Sequence, residues 1–202
     1  MIRIALAGFM LAASVVAAAA AAATGQPAPD FTATDSNGKP VKLSDLKGKT
    51  VVLEWTNHDC PYVRKHYGSG NMQALQGEAT GKGVVWLSVV SSAQGAQGHV
   101  NGTQANKLTD DRKAKPTAVL LDPKGVVGKA YGATSTPHMF VITPEGNVAY
   151  AGAIDDKASS SLSDVPKARN YVRDAIAAVA AGKPMSPGQT RSYGCSVKYQ
   201  GS

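Results

Sequence analysis

The sequence predicts an α/β domain with a central mixed β-sheet flanked by helices, and two observations support this fold class. Short apolar runs at 50–55, 84–90 and 118–121 are separated by segments long enough to hold a crossover helix, and crossovers of that length join parallel neighbouring strands. Two further apolar runs, at 139–143 and 148–153, follow each other across a Pro-Glu-Gly-Asn turn and predict a β-hairpin. The sheet should therefore contain both parallel and antiparallel pairs.

Residues 1–23 have the order of a secretory signal peptide. Arg3 precedes an alanine-rich apolar run that ends in small residues at Ala23, as in leaders that are removed on export. We predict cleavage near Ala23, which leaves one domain over residues 24–202; the alternative is a retained membrane anchor. The leader is expected to contact nothing else in the fold. The protein should be exported to the periplasm, with no membrane segment after cleavage.

The charge distribution indicates a solvated surface. The chain has 21 basic and 14 acidic side chains and a net charge of +7. The basic residues are scattered, with no cluster larger than Arg112–Lys115, and aromatic residues make up only 6% of the chain. Nucleic-acid binding needs basic residues concentrated in one patch, so no nucleic-acid partner is expected.

An N-terminal β-hairpin precedes the first central strand. Residues 36–40 are turn formers, and they reverse the extended segment that begins at Gln26 onto residues 41–43. Ser44 is then expected to cap a short turn. Together these residues predict a small hairpin ahead of the strand at 50–55.

The helices are predicted from capping residues, helix-breaking residues and apolar spacing. Pro61 begins a helix that glycines interrupt at 68–70, and the segment 165–181 carries apolar residues at helical spacing. In chain order, the predicted helices lie at 61–67, 71–78, 103–113, 126–131 and 165–181. The remainder, 182–202, is rich in Pro and Gly and is predicted to be an irregular C-terminal tail.

Cys60 is the first candidate site residue, because it lies where the first central strand gives way to a helix. Pro61 suits the first helical position, so Cys60 becomes the N-cap and its sulfur faces unpaired backbone N–H groups at the positive end of the helix dipole. Such a position favours the thiolate over the thiol. Arg64 and Lys65 in the next turn add positive charge, whereas Asp59 subtracts it. The sequence therefore indicates thiol redox chemistry at Cys60.

Cys195 is the only other cysteine of the chain. Two cysteines of an exported protein can pair, and the pair is open to two interpretations. It can be a structural disulfide, or it can be reactive, which the position of Cys60 favours. Copper or zinc would suit these sulfurs together with His58, His66 and His138, but the spacing matches no metal site. We expect neither a metal nor another cofactor.

Short motifs that include the reactive cysteine carry a resemblance to a known family. They are Ala28-Pro29-Asp30-Phe31, the segment 43–49, Cys60-Pro61, the segments 131–133 and 136–142, and the terminal segments 150–156 and 194–199. In this order they resemble the thioredoxin superfamily, and within it the peroxiredoxin-like branch of alkyl hydroperoxide reductases, thiol-specific antioxidant proteins and redoxins. The resemblance implies a thioredoxin-like fold and an antioxidant enzyme, either a thiol peroxidase or a thiol–disulfide oxidoreductase.

Two departures from the family pattern bear on the reaction. Thioredoxin-type reductases carry a second cysteine three positions after the first, where this chain has Val63, so a vicinal dithiol is excluded. Typical peroxiredoxins carry a threonine three positions before the reactive cysteine and a proline further upstream, where this chain has Asn57 and Leu53. These departures from the family pattern imply a weakened peroxide site. The site is not excluded, because the Asn57 amide can donate a hydrogen bond.

The resemblance also implies how the site is assembled. Pro137 matches the cis-proline of the fold, which presents the Thr136 backbone to Cys60. Cys60 would attack a small hydroperoxide or disulfide, with Arg64 stabilising the thiolate, and Cys195 would resolve the product as an internal disulfide, carried there by a flexible tail. An exported dithiol donor would then reset the pair. The alternative is a redox-inactive binding or copper-handling module in which the disulfide is permanent.

Overall fold

The structure, a computed structural model, describes residues 22–201. Most of the predicted leader lies outside this range, so its cleavage near Ala23 stays a prediction. Ala22, the first described residue, packs against the core of the domain, which differs from the expectation that the leader contacts nothing. Within the described range, no helix is long and apolar enough to cross a membrane.

The secondary structure follows an alternating α/β order. The strands are β1 (Thr32–Asp35), β2 (Pro40–Lys42), β3 (Val51–Trp55), β4 (Val85–Val90), β5 (Ala118–Leu121), β6 (Ser135–Thr136), β7 (His138–Ile142), β8 (Val148–Gly152) and β9 (Cys195–Ser196). The helices are α1 (Pro61–Gly68), α2 (Asn71–Thr80), α3 (Gly102–Asp111), α4 (Val126–Tyr131) and α5 (Tyr171–Ala180), and 3-10 helices lie at Leu43–Leu46 and Leu162–Lys167.

Seven strands form one mixed sheet in the order β2-β1-β5-β4-β3-β7-β8. The pairs β3–β4 and β4–β5 are parallel. The crossover from β3 to β4 contains α1 and α2, and the crossover from β4 to β5 contains α3. β7 and β8 form the predicted hairpin, and the N-terminal hairpin joins the sheet through an antiparallel pair of β1 with β5. The predicted fold class, an α/β domain with a mixed sheet flanked by helices, is confirmed.

Side chains of β3 enter both layers of the core. Alternation along the strand places Leu53 and Trp55 in one apolar cluster, where the ring centroids of Trp55 and Phe140 lie 5.3 Å apart. Val52 faces the second cluster, which contains Cys60. Cys60 is therefore built into the apolar packing on one face of the sheet.

Two predicted details of secondary structure are wrong. Ser44 lies inside the first 3-10 helix and does not cap it. The last helix begins at Tyr171, later than predicted, because Pro166 belongs to a separate 3-10 helix. Asn170 provides the cap of α5, since its side chain accepts a hydrogen bond from the Arg173 N–H.

The C-terminal tail is irregular, as predicted, but it is held against the domain. Among its described residues the one regular element is β9. The Ala153 N–H donates to the Thr190 hydroxyl at 3.0 Å, and the Val197 N–H donates to Thr134 O at 3.1 Å. Val197 itself is buried in the first apolar cluster. The expectation of a flexible tail is therefore wrong.

Leu53 provides a test of the core. Leu53→Ala should lower the free energy of unfolding by about 2–5 kcal/mol, because it removes a fully buried side chain and leaves a cavity. Val126 is 67% exposed, so Val126→Ala is the control and should change the free energy by less than about 0.5 kcal/mol. Urea denaturation followed by tryptophan fluorescence measures both. Similar effects of the two changes would contradict the central position of β3.

Candidate active site

Cys60 is the N-cap residue of α1, as predicted. Its backbone is extended, with φ −71° and ψ 124°, and Pro61 occupies the first helical turn. The Cys60 N–H donates to Asn57 O at 3.1 Å, which closes the turn between strand and helix. The Cys60 side chain is 0% exposed. The sulfur therefore sits at a helix N-terminus in a site that excludes solvent.

The Thr136–Pro137 peptide lies directly against Cys60. This peptide bond is cis, as the resemblance implied, and Cys60 Sγ donates to Thr136 O at 3.1 Å. β7 begins just after Pro137 and pairs with β3, whose end leads to Cys60. Pairing of β7 with β3 therefore brings the two segments together.

The tail places Cys195 against the same sulfur. β9 pairs antiparallel with β6, with Thr136 opposite Cys195, and the Cys195 N–H donates to Cys60 Sγ at 3.4 Å. Both cysteines are free thiols, and Cys195 is partly exposed. Gly194 allows this approach, because a Cβ atom there would lie 2.0 Å from Thr136 O. Cys195 thus meets Cys60 as part of a strand, not through a flexible tail.

The two thiols differ in acidity because of their surroundings. Burial raises the pKa of Cys60, but hydrogen bonds, chiefly from the Cys195 thiol and the Val63 N–H, outweigh it, so the pKa of Cys60 lies below its ordinary value. Burial and the hydrogen bond to Cys60 raise the pKa of Cys195 to about 11. Cys60 is the thiol that ionises first, and Cys195 acts as a hydrogen-bond donor to it.

Asn57 and Arg64 shape the turn before α1. The Asn57 side chain accepts from the Asp59 N–H at 2.9 Å and donates to Gln97 O at 3.3 Å. Arg64 is 64% exposed and lies 3.5 Å from the Asp59 carboxylate. The lowered pKa of Cys60 arises from hydrogen bonds and not from the charge of Arg64. The structure thus places both residues in support of the turn, with their polar groups engaged away from the sulfur.

A buried polar cluster beside the tail was not found from the sequence. The Tyr193 hydroxyl donates to Asp155 and lies 3.2 Å from His66 Nε2, while Lys65 Nζ lies 3.5 Å from the Asp155 carboxylate. Burial lowers the pKa of His66 to about 4, so its imidazole is neutral at pH 7. The charge of Lys65 is paired with the Asp155 carboxylate and is not directed at Cys60. The closeness of Tyr193 to Cys195 in the sequence is the one signal that could have pointed to this cluster.

Glu54 is another buried ionisable residue that the sequence analysis did not single out. Its carboxylate accepts hydrogen bonds from the Tyr67 hydroxyl, the Trp86 indole N–H and the Ser88 hydroxyl, each at 2.9 Å, and from Gln76 at 3.1 Å. Burial raises the pKa of Glu54. The hydrogen bonds join α1 and α2 to the sheet. A lone carboxylate within an apolar strand is the signal that could have revealed this group.

The histidines considered as metal ligands lie in different environments. His138 Nδ1 accepts from the Thr134 N–H at 3.3 Å, and His58 lies 3.5 Å from Asp59. His66 belongs to the buried polar cluster. Among the residues that the structure describes, no three or more potential ligands are grouped so that they could hold a metal ion.

Several known proteins are similar to this chain in sequence or in fold, and they include two whose names refer to thiol–disulfide chemistry. The profile of the AhpC/TSA family matches residues 24–151. The chain is 28% identical over 148 residues to the thiol-disulfide oxidoreductase ResA of Bacillus subtilis, covering 73% of this chain and 77% of that protein. An uncharacterised conserved protein from Geobacillus kaustophilus aligns with a TM-score of 0.74 and 25% identity, over 89% of this chain and 94% of that one. A protein from Chlorobium tepidum, provisionally described as thiol:disulfide interchange protein DsbE, aligns with a TM-score of 0.51 and 29% identity, over 63% of this chain and 83% of that one. The thioredoxin-like fold is confirmed.

The acidity of Cys60 should depend on the Cys195 thiol. Cys195→Ala removes a hydrogen-bond donor, so it should raise the pKa of Cys60, whereas Cys195→Ser keeps a hydroxyl donor and should raise it less. The rate of alkylation of Cys60 by iodoacetamide, followed against pH with peptide mapping, measures the pKa. In wild-type protein, alkylation of Cys60 should begin at lower pH than in Cys195→Ala. An identical pH profile in both proteins would contradict this origin of the shift.

Proposed function

The chain belongs to the AhpC/TSA family, and from this premise we propose that it is an exported thiol oxidoreductase whose redox-active pair is Cys60 and Cys195. One observation carries the proposal. The Cys195 N–H donates to Cys60 Sγ at 3.4 Å while both residues are free thiols. Two free thiols in contact, one of them at a helix N-terminus, have the arrangement that a dithiol–disulfide cycle requires.

The first proposed step is attack by the Cys60 thiolate on a small disulfide. The thiolate and R–S–S–R′ form Cys60–S–S–R and release R′–S⁻. The lowered pKa of Cys60 increases the supply of thiolate, and the hydrogen bonds that lower it hold the negative charge before attack. The Thr136 backbone borders the position of the incoming sulfur, because Thr136 O lies 3.1 Å from Cys60 Sγ.

In the second step, Cys195 resolves the mixed disulfide. Its sulfur loses a proton and attacks Cys60 Sγ, which forms the Cys60–Cys195 bond and expels R–S⁻. Once Cys60 is part of the mixed disulfide, its charge no longer raises the pKa of Cys195, and the thiolate R′–S⁻ released in the first step can accept that proton. Two electrons have then passed from the protein dithiol to the substrate, which leaves as the thiol R′–SH and the thiolate R–S⁻.

A hydroperoxide is the second candidate substrate, as family membership suggests. The Cys60 thiolate, a proton and ROOH would give Cys60–SOH and ROH, and the Cys195 thiol would condense with the sulfenic acid to give the disulfide and water. Asn57, which stands where peroxiredoxins have threonine, already has its amide bound to Gln97 O and the Asp59 N–H. Because these hydrogen bonds occupy the Asn57 amide, fewer of its polar groups remain to bind a peroxide. A small disulfide is therefore the favoured substrate.

The proposed electron donor is an exported dithiol. Its attack on the Cys60–Cys195 disulfide would restore both protein thiols and convert the donor to a disulfide. Export is supported by the leader-like order of residues 1–23. In an oxidising compartment such as the periplasm the pair would otherwise accumulate as the disulfide, so turnover needs this donor.

Replacement of Cys60 and replacement of Cys195 should block different steps of the reaction. Cys60→Ser should reduce the rate of model-disulfide reduction to background, because it removes the nucleophile. Cys195→Ser should retain the first attack but stop at the mixed disulfide on Cys60. Single-turnover kinetics with mass spectrometry of the trapped species measures both. Full activity of Cys60→Ser, or first modification of Cys195 in wild-type protein, would contradict the assignment of roles.

The reduction potential separates this proposal from the redox-inactive binding or copper-handling module. A catalytic Cys60–Cys195 disulfide should have a potential above roughly −300 mV, whereas a permanent structural disulfide lies below that value. Equilibration in thiol–disulfide buffers of graded potential, followed by alkylation and mass spectrometry, gives the midpoint. A midpoint below this limit would favour the permanent disulfide.

A further inference from the structure

The docked tail, residues 193–197, covers the strand edge that faces Cys60. Within it, Cys195 pairs with Thr136 across the two-stranded β6–β9 sheet. An extended polypeptide binds an open strand edge through the same kind of backbone pairing. The docked tail therefore fills the place where an extended polypeptide would bring its own sulfur to Cys60.

We propose that Tyr193 is a specificity-determining residue. By anchoring the docked tail, it restricts Cys60 to small disulfides and excludes disulfides carried on extended polypeptides. This inference rests on the proposed function, because it concerns which substrates reach the reactive thiol.

Tyr193 is the polar anchor of the docked tail. Its hydroxyl donates to the Asp155 carboxylate and lies 3.2 Å from His66 Nε2. Asp155 is 2% exposed and lies 3.5 Å from Lys65 Nζ. A hydrogen bond to a buried charged group is of the strong class. Release of Tyr193 would also take a partner from a carboxylate that water cannot reach, so the anchor opposes undocking.

The docked tail is also held on either side of Cys195. Before it, Gly194 has φ +126°, and a Cβ atom there would lie 2.0 Å from Thr136 O. After it, Val197 is buried and its N–H donates to Thr134 O at 3.1 Å. One end is thus fixed by a polar anchor and the other by an apolar one, with a close backbone approach between them.

Small and large substrates differ in what they must displace. Cys60 is fully buried, whereas the Cys195 side chain beside it is partly exposed. The Cys195 side chain is the partly exposed group that hydrogen-bonds to Cys60, so a small molecule would enter by displacing it. A polypeptide also needs the Thr136 backbone, which β9 occupies. A polypeptide substrate must therefore break the hydrogen bond between Tyr193 and Asp155. Removal of this hydrogen bond should increase the reaction rate of large substrates more than that of small ones.

Two reagents with the same reactive group test this inference. They are cysteine and an extended peptide with a single cysteine, each as a mixed disulfide with thionitrobenzoate. The Cys60 thiolate forms Cys60–S–S–R with either reagent and releases the thionitrobenzoate anion, whose absorbance reports single-turnover attack. Wild-type protein should react much faster with the cysteine reagent. Tyr193→Phe should raise the ratio of the peptide rate to the cysteine rate roughly tenfold or more, as expected for loss of one hydrogen bond to a charged group.

A second variant and two controls make the test specific. Gly194→Ala places a methyl group against Thr136 O and should raise the same ratio. Tyr62→Phe removes a hydroxyl from the ring whose centroid lies 5.8 Å from that of Tyr193. Gly182→Ala changes a glycine with φ +64° and no atom within 4 Å of the added Cβ. Both controls should leave the ratio unchanged, and thermal melting confirms that each variant is folded.

The outcomes separate this inference from the proposed function. Equal wild-type rates with the two reagents would overturn the role of the docked tail while leaving the redox pair intact. An unchanged ratio in Tyr193→Phe would overturn the role of Tyr193, and an unchanged ratio in Gly194→Ala as well would overturn the role of the docked tail. Failure of wild-type protein to react even with the cysteine reagent would instead contradict the proposed function, and with it this inference.

Discussion

Antiparallel pairing of β9 with β6 joins the end of the chain to the cis Thr136–Pro137 segment beside Cys60. This contact places the Cys195 N–H 3.4 Å from Cys60 Sγ and covers the sulfur. It depends in turn on the central sheet, because β7 pairs with β3 and so brings Thr136 to the end of the strand that leads to Cys60. The proposed redox pairing, the acidity of the two thiols and the proposed control of substrate access therefore all depend on one backbone interaction between distant parts of the chain.

Hydrogen bonding shifts the pKa values of the two thiols in opposite directions. Burial alone would raise the pKa of both, but Cys60 accepts hydrogen bonds while the Cys195 thiol donates one. The same bond therefore stabilises the thiolate of Cys60 and the protonated form of Cys195. A hydrogen bond to a charged group contributes about 1.5–3 kcal/mol, and one pKa unit corresponds to about 1.4 kcal/mol. Together the hydrogen bonds outweigh burial at Cys60, and the charge of Arg64 is not among the causes of its lowered pKa.

Features with local signals were predictable from the residues, and the contact of Thr136–Pro137 with Cys60 was implied by the family resemblance, whereas the docking of the tail was not predicted. β5 and α4 occupy the predicted residues, and Cys60 is the N-cap because Pro61 follows it. The last helix was predicted too long, since apolar spacing outweighed the break at Pro166. Docking of the tail escaped prediction because an irregular segment has no periodicity that shows which strand it will pair with. The bond between Tyr193 and Asp155 depends on that docking, so it could not be derived from the sequence either.

The central claim is that the fold prepares Cys60 and Cys195 to form one reversible disulfide within the chain. The most direct test is to oxidise the fully reduced protein with a stoichiometric amount of diamide and to map its disulfides by mass spectrometry without reduction. The account predicts a monomer in which both thiols are lost and the peptides of Cys60 and Cys195 are linked, with both thiols recovered on addition of a dithiol. Disulfide-linked dimers, or a monomer in which Cys60 stays free while Cys195 is modified, would contradict it.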